Sequence, residues 1–282
     1  MTREDVPQPL MVVNPSCFHG FDPWVAYRNI PATGIRHVEV PSFPGAAGAQ
    51  YDLTTFAPEA FSRDDIDLIR GRLRDLGLIP LTVGAYCNVL DPREIDALRA
   101  RIDFAQLLGA SYVITDACTE EQARNQPARV VNAMRWAADY AEERGIRLAL
   151  EIHQGPTRNG RELRKFLDVV DHPNLGVNYD TGNIYYYNEG VDPAEDIKEI
   201  VDRVIHVHLK DTRGGFGEWA FCNLGDGRVR FPEILAELDA VGYSGPYSLE
   251  IEGSHGEDPN CAAILQRIHD SLEYLRSIGM RC

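Results

Sequence analysis

With 282 residues, 44% of them hydrophobic and 25% charged, the chain has the composition of an ordinary folded protein and the length of one α/β barrel, a fold of about 250 residues. Its 28 basic and 43 acidic residues leave a net charge of −15, which repels phosphate backbones and anionic membranes but does not penalise small neutral ligands. Nucleic acid and lipid are set aside as partners, and a small molecule is expected.

Residues Met1 to Gln8 are polar and lack the basic start and apolar run of a secretory leader, and no stretch of about 18 apolar residues occurs anywhere. Cys17, Cys87, Cys118, Cys222, Cys261 and Cys282 are scattered without a Cys-x-x-Cys pair. That pattern reads as reduced thiols in a cytoplasmic protein, not as metal ligands.

Short apolar runs alternate with amphipathic stretches along the chain. Leu10 to Val13 is the first strand, closed by Asn14-Pro15, and a helical stretch around Trp24 to Asn29 follows. His37 to Val40 is the second strand. Arg63 to Leu76 has helical spacing and stops at Gly77, and Ile79 to Val83 is the third strand. Pro92 to Leu108 is a helix with proline in its first turn, before the fourth strand, Tyr112 to Thr115. A helix from about Ala128 to Arg144 leads to the fifth strand, Arg147 to Ile152, and a helix from Gly160 to Val170 leads to the sixth, Gly176 to Tyr179. The helix Pro193 to Val201, strand Val204 to Leu209, helix Phe231 to Val241, strand Tyr247 to Ile251 and helix Asn260 to Ile278 complete the series.

Eight strands, each followed by a helix, predict a single (β/α)8 TIM barrel spanning 1–282 as one catalytic domain. An open doubly wound sheet is the alternative, but no G-x-G-x-x-G follows the first strand. The loops Pro41 to Ala57 and Thr212 to Arg228 are long enough to build a site.

A barrel enzyme works at the carboxy-terminal ends of its strands. The last four strands end with Glu151 and His153, with Asp180, with His206 and His208, and with Glu250 and Glu252. Alternation with period two places His206 and His208 on one face. Taken singly, Glu151 or Glu250 could pair with an arginine and Asp180 could cap a turn. Together at one mouth they would repel one another without a cation between them. Three carboxylates and an imidazole suit one divalent ion: manganese, magnesium, cobalt or zinc.

Leu-Glu-Ile-His at 150–153, Asp-Thr-Gly-Asn at 180–183, His-Val-His-Leu-Lys-Asp at 206–211, Leu-Gly-Asp-Gly at 224–227 and Gly-Tyr-Ser-Gly-Pro-Tyr-Ser-Leu-Glu at 242–250 resemble the xylose isomerase-like TIM-barrel superfamily. That group includes ketose 3-epimerases, hydroxypyruvate and inosose isomerases, inosose dehydratases and endonuclease IV. The resemblance is strongest from Arg147 to Glu252 and covers the whole chain only at the level of fold. It implies Glu151, Asp180, His208 and Glu250 as the ligands of one divalent metal, with Glu151 and Glu250 also moving the substrate proton. Such a metal would stabilise the enediolate formed when the proton leaves. Arg213 resembles a family arginine that contacts substrate hydroxyls. Asn183 stands where the epimerases have a histidine, although an amide can still bond a hydroxyl. The loops Gly84–Asn88 and Asp116–Cys118 lack the histidines that the three-zinc nuclease needs.

Among the other candidates, His153 shares the face of Glu151 as a substrate contact or second acid/base, and Glu39 either bonds a substrate hydroxyl or pairs with an arginine. His206 lies deeper, as a core or supporting histidine. His19 and His255 sit on loops, solvated or lining the pocket. Trp219, with Trp24 and Phe221, could wall a sugar ring.

The resulting expectation is a cytoplasmic, metal-dependent isomerase or epimerase acting on a ketose, inosose or related hydroxy-carbonyl compound. The alternatives are a dehydratase, with His153, Glu252 or His255 as the acid, and a sugar-binding partner subunit without turnover. A homo-oligomer is a reasonable expectation for such a protein.

Overall fold

Strands covered by helices on the outside and by packed side chains on the inside need apolar residues at nearly every position, and the short Val, Ile and Leu runs of this chain meet that need. The structure, a computed structural model, describes residues 9–42, 56–254 and 260–282. Its strands are β1 (Leu10–Val13), β2 (His37–Pro41), β3 (Ile79–Gly84), β4 (Tyr112–Thr115), β5 (Arg147–Glu151), β6 (Leu175–Asp180), β7 (Val204–Leu209), β8 (Asp211–Thr212), β9 (Phe221–Cys222) and β10 (Pro246–Leu249). Eight of them close a barrel in the order β1-β10-β7-β6-β5-β4-β3-β2 with every pair parallel, while β8 and β9 make a small antiparallel pair. The (β/α)8 barrel expected from the alternation is the observed fold.

The helices are α1 (Pro23–Asn29), α2 (Arg63–Asp75), α3 (Pro92–Leu108), α4 (Glu120–Asn125), α5 (Pro127–Glu142), α6 (Gly160–Val170), α7 (Asn183–Tyr187), α8 (Pro193–Asp196), α9 (Phe231–Ala240) and α10 (Cys261–Ser277). Local chemistry sets their ends. The Asp91 carboxylate accepts from Arg93 N–H ahead of Pro92, and α3 stops at Gly109, whose φ of 83° is the left-handed conformation that glycine adopts without strain. Along α3, Leu98, Ile102 and Ala105 recur at helical spacing and are fully buried. No described helix is long and apolar enough to cross a membrane.

Several stretches differ from expectation, among them the pair β8 and β9 within what was expected as a loop. The helix expected over Pro193 to Val201 holds only as α8, followed by 3-10 turns at Ile197–Glu199 and Val201–Arg203, because the backbone at Ile200 (φ −141°) leaves the helix. Ile197 and Ile200 are thereby both fully buried. α4 and α7 were not expected; each is a short helix held by its amino-terminal cap more than by periodicity. Thr119 and Gln122 form a capping box for α4, and Asp180 Oδ1 accepts from the N–H groups of Gly182 and Asn183 at the start of α7.

The close approach of α6 to the turn after α8 makes one stability prediction. Asp196 accepts from Gly160 N–H at 2.8 Å and from the Tyr179 hydroxyl at 3.2 Å, yet burial outweighs these bonds and raises its pKa from 3.8 to about 6. A folded-state pKa above the unfolded one means that the folded protein binds the extra proton between pH ~4 and ~6. Stability from this group is therefore present below the unfolded value and lost as pH rises through about 6. Asp196→Asn should remove roughly 2 kcal/mol of pH-dependent change between pH ~4 and ~7. Urea melts of both proteins across that range check it, and an unchanged slope would assign the titration to another group.

Candidate metal centre at the carboxy-terminal mouth

β10, β7, β6 and β5 are consecutive neighbours in the barrel, so residues at their ends meet on its inner side. Glu151 ends β5, Asp180 ends β6, His208 lies one residue before the end of β7, and Glu250 follows β10. One donor atom from each lies within 4.8 Å of the other three. His208 Nδ1 is 3.2 Å from Glu250 Oε2, 3.6 Å from Glu151 Oε1 and 3.8 Å from Asp180 Oδ2. All four side chains are buried.

The donor set fits a divalent cation by a further observation. His208 Nδ1 and Asp180 Oδ2 are sealed from solvent and make no hydrogen bond. Buried polar atoms are almost always satisfied, and two orphans facing one point are what a cation would satisfy.

Neighbouring side chains use up the remaining valences. Glu151 accepts from the Asn183 amide at 3.2 Å and from the Tyr86 hydroxyl. Glu250 accepts from the Asn14 amide at 2.8 Å and the Lys210 ammonium at 3.0 Å. Glu39 Oε1 lies 3.0 Å from His208 Nε2. With Nε2 donating to Glu39, loss of the Nδ1 proton would turn the Nδ1 lone pair to the carboxylates, where a cation would take the proton's place. Below this layer His206 bridges Asn178 and Thr82 through its two ring nitrogens.

Charges follow the same geometry. Burial opposes a charge on His208, but Glu250, Glu39 and Glu151 outweigh it and raise its pKa well above the histidine norm. Burial likewise works against ionisation of Glu250, yet His208 and Lys210 hold it well below the usual carboxylate range. Burial raises Glu151 and pushes Glu252 up to about 7, the latter despite its contact with Lys210.

Each expected residue has a definite place. Glu39 serves His208 instead of an arginine. Asn183 lies in the cluster, bonding Glu151 and the Ile152 carbonyl. His153 is half-buried at the rim, with Nδ1 3.3 Å from Asp116 Oδ1 and Nε2 against the Tyr187 hydroxyl. Trp219 packs on Phe221, with Lys210 Nζ 5.9 Å from its ring centre. Arg213 lies apart from the cluster: its side chain is 65% exposed and pairs with Asp226 at 3.3 Å. Trp24 packs against Tyr27 and Phe56 beneath Arg72, not at the carboxylates. His19 is half-buried with both ring nitrogens shielded from solvent, and His255 lies outside the described residues.

Sequence reasoning missed Tyr86, Asn14, Asp116, Tyr187 and Lys210. Only Lys210 had a signal, since 206, 208 and 210 continue one face by period two. Tyr86→Phe removes one donor to Glu151, and a bond to a charged group of this kind corresponds to roughly tenfold in any rate that needs that carboxylate positioned. Activity equal to the parent protein would show that the hydroxyl does not orient Glu151.

The loop after β7 is pinned by Asp211. Its two oxygens accept from the N–H groups of Thr212, Gly225, Gly227 and Val229 at 2.8 to 3.0 Å. A Cβ on Gly227 would lie 2.2 Å from Asp211 Oδ1, so the Leu-Gly-Asp-Gly stretch needs glycine there.

Comparison with known proteins agrees with this geometry. The family model for the xylose isomerase-like TIM barrel matches residues 28–278. An L-ribulose 3-epimerase of Methylomonas sp. is 28% identical over 240 residues, covering 78% of this chain and 81% of the relative. An inosose dehydratase of Clostridium perfringens is 30% identical over 250 residues, covering 75% and 81%. The solved structure of an IolI protein with a bound zinc atom superposes with a TM-score of 0.75 at 17% identity, over 96% of this chain and 99% of that one.

Proposed function

This chain belongs to the xylose isomerase-like TIM barrel family, and from that premise we propose that its one barrel domain is a divalent-metal-dependent isomerase or epimerase, moving a proton on a carbon beside the carbonyl of a polyhydroxylated compound. The observation that carries this reading is the convergence of Glu151, Asp180, His208 and Glu250 around two orphaned donor atoms. These four residues would hold the cation, and the zinc of the IolI protein supports a cation in this type of barrel. A cation bound there would supply Lewis-acid polarisation of a carbonyl oxygen and a neighbouring hydroxyl, which acidifies the hydrogen on the hydroxyl-bearing carbon beside the carbonyl.

The protein's own groups do the rest. Glu151 and Glu250 come from the two ends of the β5-β6-β7-β10 quartet, so they can flank a substrate carbon. One carboxyl group, ionised, takes the proton, and the other, protonated, delivers its own proton, leaving the pair with the same total number of protons. Return to the opposite face of the same carbon inverts it, and return to the neighbouring carbon isomerises the compound. Tyr86 and Asn183 hold Glu151, and Asn14 and Lys210 hold Glu250, so both are oriented before substrate arrives. Rings from Tyr86 through His153, Tyr187, Tyr186 and Trp219 to Phe221 form a continuous arc with centroids 4.6 to 6.5 Å apart. Such an arc suits the C–H side of a polyol, with His153, Asn183 and Trp219 as substrate contacts. Glu39 would act through His208, and Arg213 would reach a substrate hydroxyl only by leaving Asp226.

A dehydratase is the second reading, favoured by the identity to inosose dehydratase and by the Asp116–His153 and Lys210–Glu252 pairs beside the ligand set, either of which could protonate a leaving hydroxyl. Proton NMR in D₂O separates the two. Ketoses and cyclic keto-polyols are incubated with metal-loaded and chelator-treated protein. Metal-dependent exchange with a new isomer is expected, and exchange followed by loss of water would transfer the assignment to the dehydratase. Protein that holds one metal and exchanges no carbon-bound hydrogen would count against proton transfer and favour a sugar-binding partner subunit.

A further inference from the structure

The mouth of this barrel is poor in available positive charge, and that limits what can bind there. Among the described residues, five of its eight strand-to-helix segments (14–22, 42 with 56–62, 85–91, 181–192, and 250–254 with 260) contain no lysine or arginine. The other three carry six basic residues: Arg124, Arg158, Lys210, Arg213, Arg228 and Arg230.

Each of the six is already engaged. Arg124 and Arg158 share Glu120 at 3.1 and 3.6 Å. Arg213 pairs with Asp226, and Arg230 with Asp192 at 3.0 Å. Arg228 lies over the Tyr185 ring, 4.3 Å from its centre, in a cavity it shares with Glu189 and Asp192. Only Lys210 reaches the candidate metal centre. It is 3% exposed, and its ammonium faces Glu250 at 3.0 Å, Asp180 at 3.6 Å and Glu252 in a close pair. Glu250 accepts from it and Glu252 pairs closely with it, so this buried ammonium is neutralised by its own surroundings before any ligand arrives.

The opposite sign is abundant. Glu39, Asp116, Glu151, Asp180, Glu250 and Glu252 lie in or beside the site, so an entering anion meets carboxyl groups on several sides. Phosphate and carboxylate recognition ordinarily uses a bidentate arginine, a free ammonium or a helix amino terminus. Among the described residues the first two are spent, and the amino terminus of α7 is occupied by Asp180 itself.

We propose that the site takes an uncharged polyhydroxylated carbonyl compound and rejects the phosphorylated or carboxylated counterpart of the same skeleton. This rests on the proton-transfer reading and narrows its substrate class. The discrimination works through repulsion and through the absence of a free cation, not through extra contacts to the neutral compound.

The test compares matched pairs with the metal-loaded protein: a free ketose against its terminal phosphate, and a cyclic keto-polyol against a ring carboxylate of similar size. Like-charge juxtaposition in a partly desolvated site predicts a kcat/KM ratio of roughly 100 or more in favour of the neutral member. Turnover of the anionic member at or above the neutral one would overturn the proposal while leaving proton transfer intact. If neither member turns over, the proton-transfer reading falls, and calorimetric titration with the same pair decides the charge question. Binding of the free ketose alone supports it, and tighter binding of the phosphate overturns it. Glu252→Leu removes both the acceptor paired with Lys210 and its negative charge, so the ratio should fall by roughly tenfold. An unchanged ratio would overturn the part given to Lys210.

Discussion

Glu250→Gln should slow metal-dependent exchange of the substrate's carbon-bound hydrogen by roughly 10²- to 10⁴-fold, the range in which a positioned acid/base group usually contributes. The substitution keeps the shape and an oxygen that can still accept from Asn14, while removing the negative charge that faces His208 at 3.2 Å and Lys210 at 3.0 Å. Two effects then add: the proton acceptor is lost, and a donor atom of the candidate metal set is weakened. Measuring bound metal alongside the rate separates them. A variant that holds one equivalent of metal and has lost exchange assigns the proton transfer to Glu250. One that has lost both assigns it chiefly to the metal, and full activity would sink the two-carboxylate mechanism.

Glu39→Leu should weaken divalent-metal binding by roughly 10- to 100-fold, as loss of an outer carboxylate behind a ligating histidine does elsewhere. Glu39 touches none of the other three candidate ligands in the interactions described; it acts on His208 alone, through Nε2 at 3.0 Å. Without an acceptor there, the imidazole can place its hydrogen on Nδ1 and turn a donor toward the carboxylates, the wrong polarity for a cation. Glu39→Gln retains an acceptor oxygen and should fall between the parent protein and the leucine variant. Chelator competition gives the dissociation constants without depending on any substrate. Equal affinity in all three proteins would mean that packing alone sets the His208 ring.

The candidate ligands were legible because two simple rules meet at them. Period two along a strand sets which residues share a face, and a barrel places its chemistry where strands end. Glu151, Asp180, His208 and Glu250 satisfy both, and the family resemblance singled them out from His153, His206 and Glu252 at the same strand ends. Which groups support them follows from neither rule. Asn14 reaches Glu250 from 236 residues away, and Glu39 reaches His208 across 169. The first contact exists because the barrel closes, bringing β1 beside β10, and the second joins β2 to β7, which are not paired neighbours. Tyr86 comes from the β3 loop, where no periodicity marks which side chain turns inward. Arg213 illustrates the reverse: its place after His208 suggested a substrate contact, whereas the turn built by β8 and β9 leaves it exposed beside Asp226.

By itself, the sequence determined the eight barrel strands and their order, the closed barrel they imply, and the strand ends at which ligand-competent side chains could meet, because these depend on patterns that repeat over a few residues. The tertiary structure decided what those side chains bond to. It set the Nε2 hydrogen of His208 through Glu39, spent the charge of Lys210 on three carboxylates, and broke the stretch after Pro193 into short turns that bury Ile197 and Ile200. Such outcomes depend on which distant segments the barrel brings into contact, and burial then makes every unpaired charge or polar atom there costly enough to select one arrangement.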